Sequence, residues 1–292
     1  MVALLALVAI GGATRVMEAG LACPDWPLCY GVLLPGRQMN MQVFLEWFHR
    51  LDAFLVGLAL LVLCGLSLWW RSRLPGWFPL FSGAALLLVA VQGGLGALTV
   101  TRLLQADVVT AHLATALGLV ALVSAGYQRL EAPPQRPPLW FPLLAALALA
   151  LVFAQCVLGG LMASQWAVDR CLAAAEGCRW LLAHRLGAYP GAAAVLVLAL
   201  ASLALPRRCR SLQLFSGSAL LLVAAQVALG VATLRQQLQW PALTVAHQLD
   251  AALLVAVLAA TLGRSLAAEG AAGAPRTADS DSSLPPVEVA HG

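Results

Sequence analysis

The chain has 292 residues, of which 61% are hydrophobic and 10% charged, and its mean hydropathy is +0.87. A soluble domain carries about 25% charged residues, so the composition points to an integral membrane protein and excludes a disulfide miniprotein, a coiled coil and a disordered chain. The net charge of +4 is spread thinly, with no basic cluster dense enough for a phosphate backbone, which excludes nucleic acid as the partner.

The apolar N-terminus lacks a charged leader region and runs into Gly11, Gly12 and Thr14 without a small-residue cleavage site, so it reads as a first membrane helix and not as a signal peptide. Met1 to Ala13 is short against the roughly 20 residues a span needs. Either the helix starts upstream of Met1 or neighbouring helices shield its inner end. Apolar runs near 1–15, 44–70, 78–100, 108–128, 139–162, 182–205, 212–234 and 241–263 predict eight transmembrane helices. From Ser265 onward Gly, Pro, Ser and Asp dominate, which predicts a disordered polar tail over 265–292 that includes an inert His291.

Loops after helices 2, 4, 6 and 8 hold eight arginines and the opposite, longer loops hold six. The excess predicts both termini in the cytoplasm. Cys23 and Cys29 share the loop after helix 1, and Cys171 and Cys178 share the loop after helix 5. Both loops fall on the outer side, where disulfides persist. Two pairs in equivalent loops predict Cys23–Cys29 and Cys171–Cys178 bridges in place of four unrelated thiols, while Cys64, Cys156 and Cys209 are expected to be reduced.

An internal repeat organises the chain. Phe81-Ser82-Gly83 recurs as Phe215-Ser216-Gly217, Gln92 with Leu95-Gly96 as Gln226 with Leu229-Gly230, and His49-Arg50-Leu51 as His184-Arg185-Leu186. The offset is 134 or 135 residues, and His112 to His247 keeps it. Four helices per unit make this a parallel repeat about an axis along the membrane normal, its first outer loop the longer one. The expected fold is all-α: two pseudo-symmetric four-helix bundles, an N-terminal one over 1–130 and a C-terminal one over 139–264.

His49, His112, His184 and His247 each lie early in an even-numbered helix. Those helices run in one direction, so the four imidazoles form a layer at one depth. A single intramembrane histidine commonly bonds a neighbouring helix. Four at matched depth, two per bundle, point to ligands, because ionisable groups are costly in lipid. Two histidines on facing helices suit a bis-histidine haem, which supplies four nitrogens of its own and needs two more. Zinc or copper would want more ligands together than each half offers. Gly93, Gly94, Gly96 and Gly230 are candidates for clearing space beside a porphyrin, or simply for close helix packing. Arg50 and Arg185 directly follow their histidines and either meet haem propionates or snorkel to the interface.

The halves differ at one acid. Glu46 lies three residues before His49 on the same helix face, and its counterpart is Leu181. A carboxylate beside a haem at the bilayer edge is placed for proton transfer, although a glutamate near a helix start also satisfies the macrodipole. Asp52 and Asp250 each follow a histidine by three and either orient its imidazole from behind or pair with an arginine.

Together these residues resemble haem A synthase. The resemblance rests on Thr14-Arg15, on Gly20-Leu21-Ala22-Cys23-Pro24-Asp25-Trp26-Pro27-Leu28-Cys29-Tyr30-Gly31, on Glu46-x-x-His49-Arg50, and on His112, His184-Arg185 and His247. It spans helix 1 to helix 8. It implies an oxidoreductase of the bacterial cytoplasmic membrane that converts the C8 methyl of haem O to a formyl group by successive hydroxylations, yielding the haem A of cytochrome oxidases. It further implies haem b as cofactor on His184 and His247, the substrate haem facing His49 and His112, Glu46 as the essential acid, and a redox or haem-handover role for Cys23 and Cys29. Expected partners are haem O synthase, cytochrome oxidase assembly factors and an unidentified electron acceptor. The competing functions are a dihaem cytochrome that oxidises quinol, and a haem transporter or chaperone; neither needs Glu46 or the cysteine loop.

Overall fold

The computed structural model describes residues 1–164 and 179–267. Cys171, Cys178, His291 and most of the predicted polar tail lie outside the described residues. Within them the chain is helical: α1 (Val2–Val16), α2 (Met41–Trp69), α3 (Phe78–Thr101), α4 (Ala106–Glu131), α5 (Trp140–Ser164), α6 (Arg179–Ser202), α7 (Arg210–Arg235) and α8 (Pro241–Ser265). Seven of these, α2 to α8, are long and apolar enough to cross a membrane, and α1 is shorter. The protein is thus an all-α integral membrane protein. Helices apolar on every side bury one face on each other and give the rest to lipid, and the exposed large side chains, such as Phe54, Leu61, Leu87, Leu147 and Leu221, lie along the helices.

Helix ends follow local chemistry. The Asn40 side chain accepts the Val43 N–H and starts α2 three residues before the apolar run begins. The α6 helix stops at Ser202, short of the expected 205, because Pro206 disfavours helical backbone before it and Leu203–Leu205 turn instead.

Sequential helices pack as antiparallel neighbours within α1–α4 and within α5–α8, and α4 lies along α8 in the middle. Helix α1 also packs on α8, and α5 on α4. These cross-contacts obey the sequence repeat: Gly12 of α1 receives the Gln248 side chain of α8, and Gly160 of α5 receives the Leu113 side chain of α4. Each incoming residue follows a histidine directly. The α4–α8 crossing is closer still. Ser124 Oγ donates to the Ala256 carbonyl at 2.7 Å, and a Cβ on Gly263 would fall on the Ala125 backbone carbonyl. Near the C-terminal ends of α4 and α8, Arg129 lies over the Trp77 ring and Arg264, 135 residues on, over the Phe215 ring. The symmetry fails at one contact: α5 packs along α8, whereas α1 barely meets α4.

A side chain at Gly263 has only backbone to push against. Gly263→Ala is expected to destabilise the protein by about 1–3 kcal/mol, read as a lower thermal midpoint in detergent. Gly57→Ala, which enters open space, should hold or raise that midpoint because alanine is the better helix former.

Candidate functional site

His49 is the ninth residue of α2, His112 the seventh of α4, His184 the sixth of the described α6 and His247 the seventh of α8. At 1.5 Å per residue the four stand about 8–12 Å below their helix starts. His49 lies within electrostatic reach of His112, and His247 within that of His184. Among the described residues no three His, Cys, Asp or Glu side chains gather as a metal-ion site; the imidazoles meet in twos.

Each ring rests on a glycine of the helix that precedes its own. A Cβ on Gly11 would come within 2.8 Å of His49 Cε1, one on Gly96 within 3.5 Å of His112 Cε1, and ones on Gly159 and Gly230 within 3.0 Å of the Cε1 atoms of His184 and His247. A side chain at Gly11 would clash with its ring and ones at Gly159 and Gly230 would crowd theirs, whereas a Cβ at Gly96 would only touch His112. Of the four glycines that the sequence singled out, Gly96 and Gly230 lie against a histidine ring, whereas Gly93 and Gly94 face open space. The sequence reading missed Gly11 and Gly159. The Nδ1 atoms of His49, His112 and His247 are buried without a hydrogen-bond partner, and the three rings face the backbone carbonyls of Leu7, Gln92 and Gln226. Half-buried imidazoles seated on helix backbone with unmet ring nitrogens fit axial ligation of a haem, where a carbonyl behind one nitrogen fixes the ring and the other nitrogen meets iron.

Glutamines complete three of the seats. Gln92 Nε2 donates to the His112 carbonyl at 2.8 Å. Gln155 Nε2 donates to the His184 carbonyl at 2.7 Å and lies 3.0 Å from His184 Nδ1. Gln226 Nε2 lies 3.4 Å from His247 Nε2. Their signal in the sequence is a Gln four residues before a Gly on three odd-numbered helices, one helical turn apart on a single face.

The acid and the cysteine loop form one unit. Glu46 is 4% exposed; its Oε2 accepts the Cys23 N–H at 2.8 Å and its Oε1 pairs with Arg50 at 2.5 Å. Arg50 also donates to the carbonyls of Asp25, Leu28 and Cys23. Glu46 therefore does not stand alone near His49, and Arg50 is bonded to the loop. Its counterpart Arg185 is exposed. The loop itself is closed by a Cys23–Cys29 disulfide. Asp25 accepts the N–H groups of Tyr30 and Gly31, both at left-handed φ of 56° and 72°, where glycine is free of strain and Asp bridging stabilises the turn. The motif Cys-Pro-Asp-Trp-Pro-Leu-Cys-Tyr-Gly is thus a folded cap seated on α2. Cys64, Cys156 and Cys209 are free thiols.

Asp52 and Asp250 each keep a buried Oδ2 with no hydrogen-bond partner, and among the described residues neither bonds an imidazole or an arginine. Both expected pairings are thus unmade.

Arg50→Lys retains the charge and loses the fork that reaches several carbonyls together. The loop should loosen, and amide hydrogen exchange at Cys23, Tyr30 and Gly31 should quicken by about tenfold, the effect of losing a bond or two of this kind, with α2 beyond His49 unchanged.

The sequence profile of the COX15-CtaA family, described as cytochrome oxidase assembly protein, matches residues 1–259. Among relatives named heme A synthase, one from Shewanella oneidensis is 34% identical over 191 residues, which is 58% of this chain and 56% of that protein. That alignment thus covers little more than half of the relative. One from Sphingopyxis alaskensis is 29% identical over 320 aligned positions, covering 88% of this chain and 87% of the relative, and one from Erythrobacter litoralis is 28% identical over 311, covering 85% and 90%. With its four seated histidines, its capped acid and a profile match running from α1 into α8, the chain belongs to the COX15-CtaA family of cytochrome oxidase assembly proteins.

Proposed function

We propose that this protein is a haem A synthase, oxidising the C8 methyl of haem O to a formyl group by successive hydroxylations for cytochrome oxidase assembly. In this reading α1–α4 take the substrate haem between His49 and His112, and α5–α8 hold a resident haem b between His184 and His247. The observation that carries it is the fourfold recurrence of an imidazole lodged on a glycine of the preceding helix, three of the four keeping a buried Nδ1 without a partner. Two such rings per half match what one porphyrin iron lacks.

The difference between the halves supports the assignment of roles. Only the first has a buried acid one helical turn before its outer histidine; the second has Leu181 there. When bound, haem b supplies one-electron transfer between the substrate and an acceptor. Each hydroxylation takes its oxygen from water, passes two electrons to the acceptor and releases two protons, and Glu46 takes up protons released at the substrate methyl. Arg50 and the Cys23 N–H fix the carboxylate's direction, so that it meets the methyl without reorganising. The Cys23–Cys29 cap closes the outer end of α1 and α2 and keeps bulk water off the carboxylate. The redox or handover role of this pair belongs to the same proposal.

The membrane orientation follows from the same residues. In this reading the α1–α2 loop lies in the periplasm and both termini in the cytoplasm; the Cys23–Cys29 disulfide, a bond that persists on the outer face, and the arginine excess on even-numbered loops support it. Haem O synthase would supply the substrate, assembly factors of cytochrome oxidase would receive the product, and a further electron acceptor is required.

Mass analysis of pigment extracted from the protein, made in cells that synthesise haem O, tests the reading. Hydroxymethyl and formyl haem are expected from the wild type and haem O alone from Glu46→Ala, with turnover reduced by about a hundredfold or more for loss of a positioned proton acceptor. Unchanged haem O from both proteins would identify a carrier instead, and haem b alone in both halves an electron-transfer cytochrome.

A further inference from the structure

The four histidine seats are alike except in one respect. Four residues before the glycine stand Gln92, Gln155 and Gln226 in α3, α5 and α7, and Leu7 in α1. Each glutamine amide reaches its histidine, at the backbone carbonyl or at a ring nitrogen. Gln92 is braced in turn by Thr115 Oγ1, which donates to its Oε1 at 2.5 Å. Leu7 has no donor to offer and packs among Leu4, Val56 and Leu60. The helix beneath His49 is also the less supported one, since α1 barely meets α4 while its counterpart α5 packs along α8.

We infer that Gln92, Gln155 and Gln226 are positioning residues that pin His112, His184 and His247, and that Leu7 leaves His49 as the exchangeable ligand. The hydrogen bonds from Gln92 and Gln155 to a histidine carbonyl tie one helix to the backbone of the next and so hold the ring over its glycine, while the Gln226 amide lies against the His247 ring itself. In a dry interior, breaking such a bond leaves polar groups unmet, so the pinned arrangement is favoured. Without it the ring of His49 is held at Gly11 by contact and by its approach to the Leu7 carbonyl, and among the described residues α1 is tied to α2 nearby only through Thr14 Oγ1, which donates to the Leu45 carbonyl at 3.4 Å. The inference rests on the two-haem reading given above and deepens it. A cofactor site is served by two fixed ligands, whereas a site that must load substrate and discharge product needs one that lets go. The unpinned histidine lies in the half that carries Glu46.

Carbon monoxide binding to the dithionite-reduced, full-length protein loaded with haem b in both halves tests this directly. A bis-imidazole iron accepts carbon monoxide only after an imidazole leaves, so the Soret shift reports ligand release and not turnover. The wild type should show one reactive haem of two. Leu7→Gln should slow that phase by about tenfold, the effect of one added buried hydrogen bond. Gln155→Leu should turn the second haem reactive, and it carries the test should Leu7→Gln fold poorly. Two bound haems whose carbon monoxide kinetics neither substitution moves, or a wild type with both haems inert, would overturn the inference. A single haem on pigment extraction from the loaded protein would instead overturn the two-haem reading beneath it.

Discussion

The close approach of an imidazole to the backbone of a neighbouring helix is the constraint on which the rest of this protein depends. A helix pair can bring a ring that near only where the facing residue has no side chain, and α1, α3, α5 and α7 each provide a glycine at that point. Glycine in a helix costs roughly 1 kcal/mol relative to alanine in helix propensity, a cost that lipid-surrounded helices tolerate because their backbone bonds have no competing water. The adjacent glycines Gly12 and Gly160 extend the same device across the molecule, letting Gln248 and Leu113 dock one half on the other. Ring placement and assembly of the halves are therefore coupled through consecutive residues of α1 and α5.

Around that common frame the chemistry is asymmetric. Glu46, Arg50 and the cysteine-closed cap form a single hydrogen-bonded unit on α2, so the acid is oriented by main-chain geometry of a loop distant in sequence. An ion pair this buried is informative for specificity more than for stability, since desolvation offsets much of its attraction. The cap reaches Arg50 through backbone carbonyls, which makes its fold, and not its side-chain identity alone, the feature that holds the acid. Asp52 and Asp250 contrast with Glu46: both are acids within a turn of a histidine, yet neither has a partner to orient it among the described residues.

Duplication gives both halves one frame in which single positions differ. The repeat fixes helix number, direction and the depth of the histidines. Divergence then acts on single positions within an otherwise equivalent seat, Glu46 against Leu181 at the outer turn and Leu7 against Gln155 beneath the ring. A parallel duplication brings both seats to one side of the helix layer, because corresponding helices of the two halves run in the same direction.

The amino-acid sequence determined the membrane character, the eight helices, the repeat and the four histidines at one depth, because hydropathy, helical rise and periodic identity are local quantities that need no partner. It also identified Glu46 as the odd acid and Cys23 with Cys29 as a pair. Only the tertiary structure decided that Arg50 bonds the cysteine loop, which glycines lie against the histidine rings, and that Gln92, Gln155 and Gln226 reach the histidines. These depend on which face of one helix meets which face of another, and helices uniformly apolar around their circumference carry no stripe from which that azimuth can be read.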